Sequence, residues 1–323
     1  MPPEPVRALP PRGEQASPED RLYWRVRDAV AALPFYFETE TVVKGLNATD
    51  IFTLNSALGA TIEQQVVATL NRMRPAWDPE EEFTDYGFVR QSQAFPDVLL
   101  KRRALATAEE APPLLGIELK GWCLVAKERE PSFRYKVTPS ACAVQDLLVI
   151  VPWALSDVIS GSPLVLEPYV ESARYAADMR NYWWEHVRST SGSRLIEHPQ
   201  GVNPYPRNSK AINDKPCDDR SDPQNVKKPE TGGNFGRYAR VLTPSGEKLI
   251  AGFLDRALSH PLSGISVEDW SRFFFRFKDQ SLTPEAREAI RQMRSGGSVA
   301  LGTDAAREIA DLILDVFGSR GSG

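Results

Sequence analysis

Residues 114–122 read Leu-Leu-Gly-Ile-Glu-Leu-Lys-Gly-Trp, an apolar segment that carries a Glu and a Lys two positions apart. Successive side chains of a β-strand point to opposite faces, so the aliphatic residues at positions 115, 117 and 119 are expected on one face. Glu118 and Lys120 are then expected side by side on the other face. The pattern therefore predicts a strand that holds a carboxylate next to an ammonium.

A second carboxylate, Asp97, lies upstream on another strand candidate, residues 95–100, directly after Pro96. The connection over residues 101–112 is short enough to keep the two strands adjacent. Asp97 is therefore expected close to Glu118 and Lys120.

The segments around these strands predict helices and further strands. Apolar residues recur at steps of three and four over about 50–73, which predicts a helix that carries Glu63. Residues 147–153 are nearly all apolar, as in a strand buried on both faces. Helices are also predicted over about 21–33, 169–188 and, in three or four pieces, 243–317, with one more strand at 133–137. The fold class predicted is α/β (α+β): a central mixed β-sheet flanked by helices, followed by a helical C-terminal region.

The three charged groups suit the hydrolysis of a phosphodiester. Two carboxylates on adjacent strands can share a hard cation such as Mg²⁺, which prefers oxygen ligands and keeps several waters. The cation polarises the phosphoryl oxygen and lowers the pKa of a bound water. An ammonium beside it can orient that water and stabilise the charge that develops on the phosphate.

The spacing resembles that of the PD-(D/E)xK nuclease superfamily, which includes many type II restriction endonucleases. The matching residues are Pro96-Asp97 and, after twenty intervening residues, Glu118-Leu119-Lys120. Pro96-Asp97 is the only Pro-Asp pair in the chain, and Lys120 is the only lysine with an acid two positions before it. The resemblance covers roughly residues 50–155.

The resemblance implies a role for each of these residues. Asp97 and Glu118 would bind Mg²⁺, with the backbone carbonyl of Leu119 as an extra ligand, and Lys120 would position the attacking water. Glu63 resembles the additional acidic residue that many members carry on the helix before the core sheet. The implied core is restriction-endonuclease-like and spans residues 20–190.

The implied partner is double-stranded DNA, and a homodimer is expected by analogy because cutting both strands requires two active sites. The 323 residues carry a net charge of −4, so local basic patches would have to hold DNA. Candidate phosphate contacts are Lys101, Arg102 and Arg103, which a solvated loop would also explain. Lys210, Lys227 and Lys228 are further candidates in a long polar loop at 191–240, which is either a DNA contact or a disordered insertion.

Composition sets the remaining expectations. Hydrophobic residues make up 41% of the chain, enough for a packed core, and no apolar run approaches the length of a membrane span. Three widely spaced cysteines suit a reducing cytoplasm. Residues 1–19 are rich in proline and polar groups, which predicts a disordered lead. Residues 241–323 are expected to form the helical C-terminal region.

A stand-alone type II restriction endonuclease is the function that these observations favour. A repair or structure-specific nuclease with the same chemistry is one alternative, and a non-catalytic DNA-binding module on the same scaffold is another. The residues alone also allow Glu118 and Lys120 to be an ordinary surface ion pair, with Asp97 in a turn.

Overall fold

The computed structural model describes residues 3–44, 51–91, 95–103, 112–125, 131, 139–182, 250–278, 283–294 and several positions between 302 and 311. The helices are α1 (Pro18–Ala31), α2 (Leu33–Tyr36), α3 (Ile51–Arg72), α4 (Arg74–Trp77), α5 (Ala173–Tyr182), α6 (Ala251–Ser259), α7 (Val267–Lys278) and α8 (Pro284–Arg294). The strands are β1 (Tyr86–Arg90), β2 (Val98–Arg102), β3 (Leu115–Cys123), β4 (Leu147–Leu155), β5 (Pro163–Val165), β6 (Tyr169–Ser172) and the short pair β7 (Pro261–Leu262) and β8 (Ile265–Ser266).

Six of these strands form one mixed sheet, in agreement with the predicted fold class. β1, β2 and β3 are antiparallel neighbours, β4 lies parallel to β3, and β5 and β6 both pair antiparallel with β4. All nine residues of β4 are buried, as the continuous apolar run predicts. β3 and β4 are therefore the centre of the sheet.

Helix α3 packs along this sheet and is fixed to β1 near its C-terminal end. The side-chain amide of Asn71 donates to the carbonyl oxygen of Phe88 at 2.9 Å, and its oxygen accepts from the Phe88 N–H at 2.9 Å. Trp77 on α4 packs edge-on against the Phe88 ring. These contacts place Glu63, two helical turns before Asn71, over the β1 end of the sheet.

Two local predictions differ from the structure. The helix expected over 169–188 begins only at Ala173, because residues Tyr169–Ser172 form β6 and pair with β4. The lead expected to be disordered over 1–19 forms no helix or strand over residues 3–17, but Arg7 forms an ion pair with Glu171, and α1 already begins at Pro18. In both cases the partner lies far away in sequence, where local patterns give no signal.

Other predicted segments fall outside the described residues. These are the strand at 133–137 and the polar loop at 191–240 with Lys210, Lys227 and Lys228. In the C-terminal region, helices α6, α7 and α8 agree with the prediction of several short helices after residue 243.

Candidate active site

Asp97 is held at the entry to β2 by contacts on both sides. The backbone N–H of Gln91 donates to the Asp97 carbonyl at 2.7 Å, and the Gln91 side chain donates to the Pro96 carbonyl at 2.7 Å. On the other side, Asp97 Oδ2 accepts from the backbone N–H of Leu119 at 2.9 Å. The carboxylate of Asp97 is therefore fixed against the middle of β3.

This contact is possible because β3 continues beyond Ile117, the residue that pairs with the first residue of β2. The pairing of β2 with β3 runs from Leu100 opposite Leu115 to Val98 opposite Ile117. Beyond Ile117, β3 has no strand partner on the β2 side, and the Leu119 N–H contacts Asp97. The carboxylate of Asp97 thus satisfies a backbone donor that the sheet ladder leaves open.

Glu118 and Lys120 meet Asp97 at the same place. Lys120 Nζ lies 2.5 Å from Glu118 Oε1 and 3.5 Å from Asp97 Oδ2. One ammonium therefore contacts two carboxylates. The structure brings together the three residues that the sequence predicts as a site.

The three side chains differ in their access to solvent. Glu118 is buried, the side chain of Lys120 is 15% exposed, and that of Asp97 is 30% exposed. The pair on β3 is thus an internal ion pair and does not have the exposure of an ordinary surface pair. Asp97 is the member most open to a ligand.

Burial and mutual charge shift the pKa values of the pair. The pKa of Glu118 is raised to about 8, mainly by burial and then by the negative charge of Asp97. The positive charge of Lys120 lowers this pKa but does not cancel the two causes that raise it. Burial by itself lowers the pKa of Lys120, but the charges of Glu118 and Asp97 outweigh it and raise the pKa of this lysine. Lys120 is therefore protonated, and a single positive charge is shared between two acids.

Glu63 lies near these residues but has its own partner. Its Oε2 accepts from Arg90 Nη2 at 3.0 Å. Burial, followed by the charge of Asp97, raises the pKa of Glu63, while Arg90 and Lys120 lower it. Glu63 is thus electrostatically part of the cluster, although the contact it makes is to Arg90.

The backbone carbonyl of Leu119 faces the same edge of β3 as its N–H. In a strand, the N–H and C=O of one residue point to the same neighbour. Because the Leu119 N–H points at Asp97, its carbonyl oxygen lies on the Asp97 side as well. The side chain of Leu119 is buried in the core, so only its backbone is available to the site.

The groups present suit a hard divalent cation. In the described part of the chain, no group of three or more His, Cys, Asp and Glu side chains is arranged to hold a metal ion. However, the carboxylates of Asp97 and Glu118 and the carbonyl of Leu119 are the oxygen ligands that Mg²⁺ prefers. The cluster also has three acids, with Glu63, against two cations, Lys120 and Arg90. Burial and the charge of Asp97 raise the pKa values of Glu118 and Glu63, and a bound cation would favour the ionised form of both acids.

The predicted phosphate contacts on β2 lie away from this cluster. Arg102 Nη2 pairs with Asp85 at 3.4 Å, and Arg103 packs its guanidinium against Gly87. Arg102 follows Val98 by four residues, which places it about 13 Å along the strand from the Asp97 end. Lys101, Arg102 and Arg103 are therefore not brought to the site.

Sequence reasoning missed two residues that the structure places beside the site, Arg90 and Gln91. Arg90 lies opposite Val98 in the β1–β2 pairing, next to Asp97. The signal was weak because β1 is short and includes Gly87. Only the antiparallel pairing with β2 places the end of β1 next to the predicted aspartate.

No family model, no curated protein and no solved structure matches this chain. None of the helices in the described segments is both long and apolar enough to cross a membrane. The interpretation of the site therefore depends on its own geometry and chemistry.

Proposed function

We propose that this protein is a Mg²⁺-dependent endonuclease that hydrolyses DNA phosphodiester bonds, of the stand-alone type II restriction kind. The observation that carries the proposal is the contact of one ammonium, Lys120, with two carboxylates, Asp97 and Glu118. Sequence order, strand placement and side-chain contacts all point to the same three residues.

Each of these residues would have its own role in the reaction. Asp97, Glu118 and the Leu119 carbonyl would hold Mg²⁺, which when bound supplies a polarised phosphoryl oxygen and a more acidic water. Lys120 remains protonated beside the carboxylates, so it donates hydrogen bonds to the attacking water and to the phosphate oxygen as negative charge develops there. Burial of Glu118 and Lys120 keeps bulk water away and strengthens these interactions.

DNA is the substrate that the resemblance implies, and a homodimer would bring two sites to the two strands of a duplex. Such an enzyme would act in the cytoplasm. The basic residues Lys210, Lys227 and Lys228 remain proposed phosphate contacts.

The test is incubation of the purified chain with plasmid and phage DNA in Mg²⁺, with EDTA as the matched control. Discrete fragments that EDTA abolishes are expected for a site-specific endonuclease. A Mg²⁺-dependent smear would indicate a nonspecific or structure-specific nuclease. DNA that stays intact across many substrates, although the protein binds it, would contradict the proposal and favour a non-catalytic DNA-binding module.

A further inference from the structure

Two cations lie at the candidate site, and they differ in how they are held. Lys120 is 15% exposed and contacts both Glu118 and Asp97. The side chain of Arg90 is 43% exposed and contacts one carboxylate, that of Glu63, through a single nitrogen. Arg90 is therefore the cation of the cluster that a ligand from solvent reaches first.

The guanidinium of Arg90 suits a phosphate better than its present partner. An arginine presents five N–H donors in a planar fork that matches two oxygens of a phosphate. In the contact with Glu63, one nitrogen and one carboxylate oxygen meet at 3.0 Å. Arg90 lies opposite Val98, the residue that follows Asp97, and its guanidinium is partly open to solvent at this end of the sheet.

Glu63 is held by Arg90 through an ion pair that links α3 to β1. Helix α3 packs against both β1 and β3, so Glu63 lies on the helix that covers the strand of Glu118 and Lys120. The positive charge of Arg90 neutralises this carboxylate and competes with a cation for it. A group that draws Arg90 away would leave the Glu63 carboxylate open to a cation.

We propose that Arg90 is a positioning residue that restrains Glu63 in the free protein and exchanges this partner for a backbone phosphate of the DNA, which frees Glu63 to support the metal ion. The inference depends on the proposed nuclease function and adds two elements to it, a phosphate-binding residue and substrate-coupled completion of the metal site. The ligand chemistry is a phosphodiester next to the bond that is cut.

The test compares Arg90→Ala and Arg90→Lys with the full-length wild type. Ca²⁺ binding without DNA is measured by calorimetry, and single-turnover cleavage of a plasmid is measured in Mg²⁺. Loss of a half-exposed ion pair should tighten Ca²⁺ binding of Arg90→Ala by about two- to fivefold, because Glu63 is released. Loss of a charged phosphate contact should slow cleavage by about 10- to 100-fold.

These opposite directions separate the proposal from a structural role, since a misfolded variant would lose both properties. Arg90→Lys keeps the charge but not the fork, so Ca²⁺ binding should stay near wild type while cleavage is still reduced. Arg21→Ala is the matched control, because Arg21 pairs with Glu82 at 3.3 Å with side chains 40% and 34% exposed, outside the site. It should change neither property.

Unchanged Ca²⁺ affinity in Arg90→Ala overturns the restraint of Glu63, and unchanged cleavage overturns the phosphate contact. If the wild type neither binds Ca²⁺ nor cleaves DNA, the proposed function fails and this inference fails with it. If the wild type does both and Arg90→Ala matches it, only this inference fails.

Discussion

At the scale of single residues, the question is whether Lys120 acts on the substrate or only neutralises the acids beside it. Its ammonium contacts Glu118 and Asp97 at the same time, and both carboxylates raise its pKa. A purely neutralising role would need the charge alone. A catalytic role needs a compact donor at one point.

Lys120→Arg separates these two roles. Arginine keeps the positive charge. Its guanidinium is planar and longer, however, so it displaces the water that an ammonium would hold. We expect single-turnover cleavage at saturating DNA to fall by about 10²- to 10³-fold, the usual cost of one lost donor at a reacting oxygen. DNA affinity in Ca²⁺ and the melting temperature should change little. Full activity in the Arg variant would leave Lys120 as a charge partner only.

At this scale the sequence predicted that three charged residues lie close together. Asp97, Glu118 and Lys120 come together as expected because strand alternation and a short connection are local properties. The burial of Glu118 could not be predicted, since it depends on the strands and helices that cover β3. The pairing of Glu63 with Arg90 was missed for a similar reason: the two residues lie on different elements, α3 and β1.

At the scale of elements, two carboxylates fix β3 from its two edges. Asp97 accepts from Leu119 on the β2 side, and Asp146 Oδ1 accepts from Gly116 N–H at 2.9 Å where β4 begins. The second oxygen of Asp146 accepts from Ala143 N–H at 2.8 Å. Asp146 therefore anchors the start of β3 to the start of β4.

Asp146 should give the folding stability a measurable pH dependence. Burial, the largest cause, raises its pKa from 3.8 to about 7, although two backbone N–H groups and Arg174 oppose this. The native state then binds more protons than the unfolded state between about pH 4 and 7, so the free energy of unfolding falls as the pH rises through this window.

Asp146→Asn tests this through urea unfolding at several pH values. The variant should be less stable near pH 5 by about 1–3 kcal/mol, because an amide offers one oxygen where two N–H donors need acceptors. Its stability should also change less between pH 4 and 7 than that of the wild type. The same pH slope in both proteins would show that Asp146 does not titrate in this range.

The elements also show where sequence patterns lose their predictive power. Helix α3 matches its prediction within a residue at each end because its apolar period runs over many turns. β6 has only four residues, and its pairing with β4 decided its conformation against a helical pattern. β1 was not recognised for the same reason: its strand character depends on β2.

At the scale of the whole molecule, the N-terminal segment is held by a long-range ion pair. Arg7 Nη2 lies 2.9 Å from Glu171 Oε2, and its guanidinium lies 4.6 Å from the centre of the Tyr175 ring. The Glu171 side chain is 4% exposed. A buried carboxylate therefore depends on a residue far away in the sequence.

Arg7→Ala should destabilise the protein through this carboxylate. Glu171 would keep Tyr169 and its neighbouring backbone N–H but lose its cation. We expect a loss of about 1–3 kcal/mol in urea unfolding, less than for a fully buried pair because Arg7 is half exposed. Arg21→Ala, which breaks the exposed pair with Glu82, should cost at most about 1 kcal/mol. Equal effects of the two substitutions would mean that Arg7 does not hold the segment.

The most direct test of the whole account compares two buried glutamates. Glu118 and Glu171 flank Leu148 on one face of the sheet, two strands apart. Single-turnover cleavage of plasmid DNA in Mg²⁺ is measured for Glu118→Gln and Glu171→Gln, with melting curves for both. We predict that Glu118→Gln folds but cuts at least about 100-fold more slowly, since it loses a charged metal ligand. Glu171→Gln should cut at the wild-type rate. Normal cleavage by Glu118→Gln, or an equal loss in a folded Glu171→Gln, would contradict the assignment of Asp97, Glu118 and Lys120 as the active site.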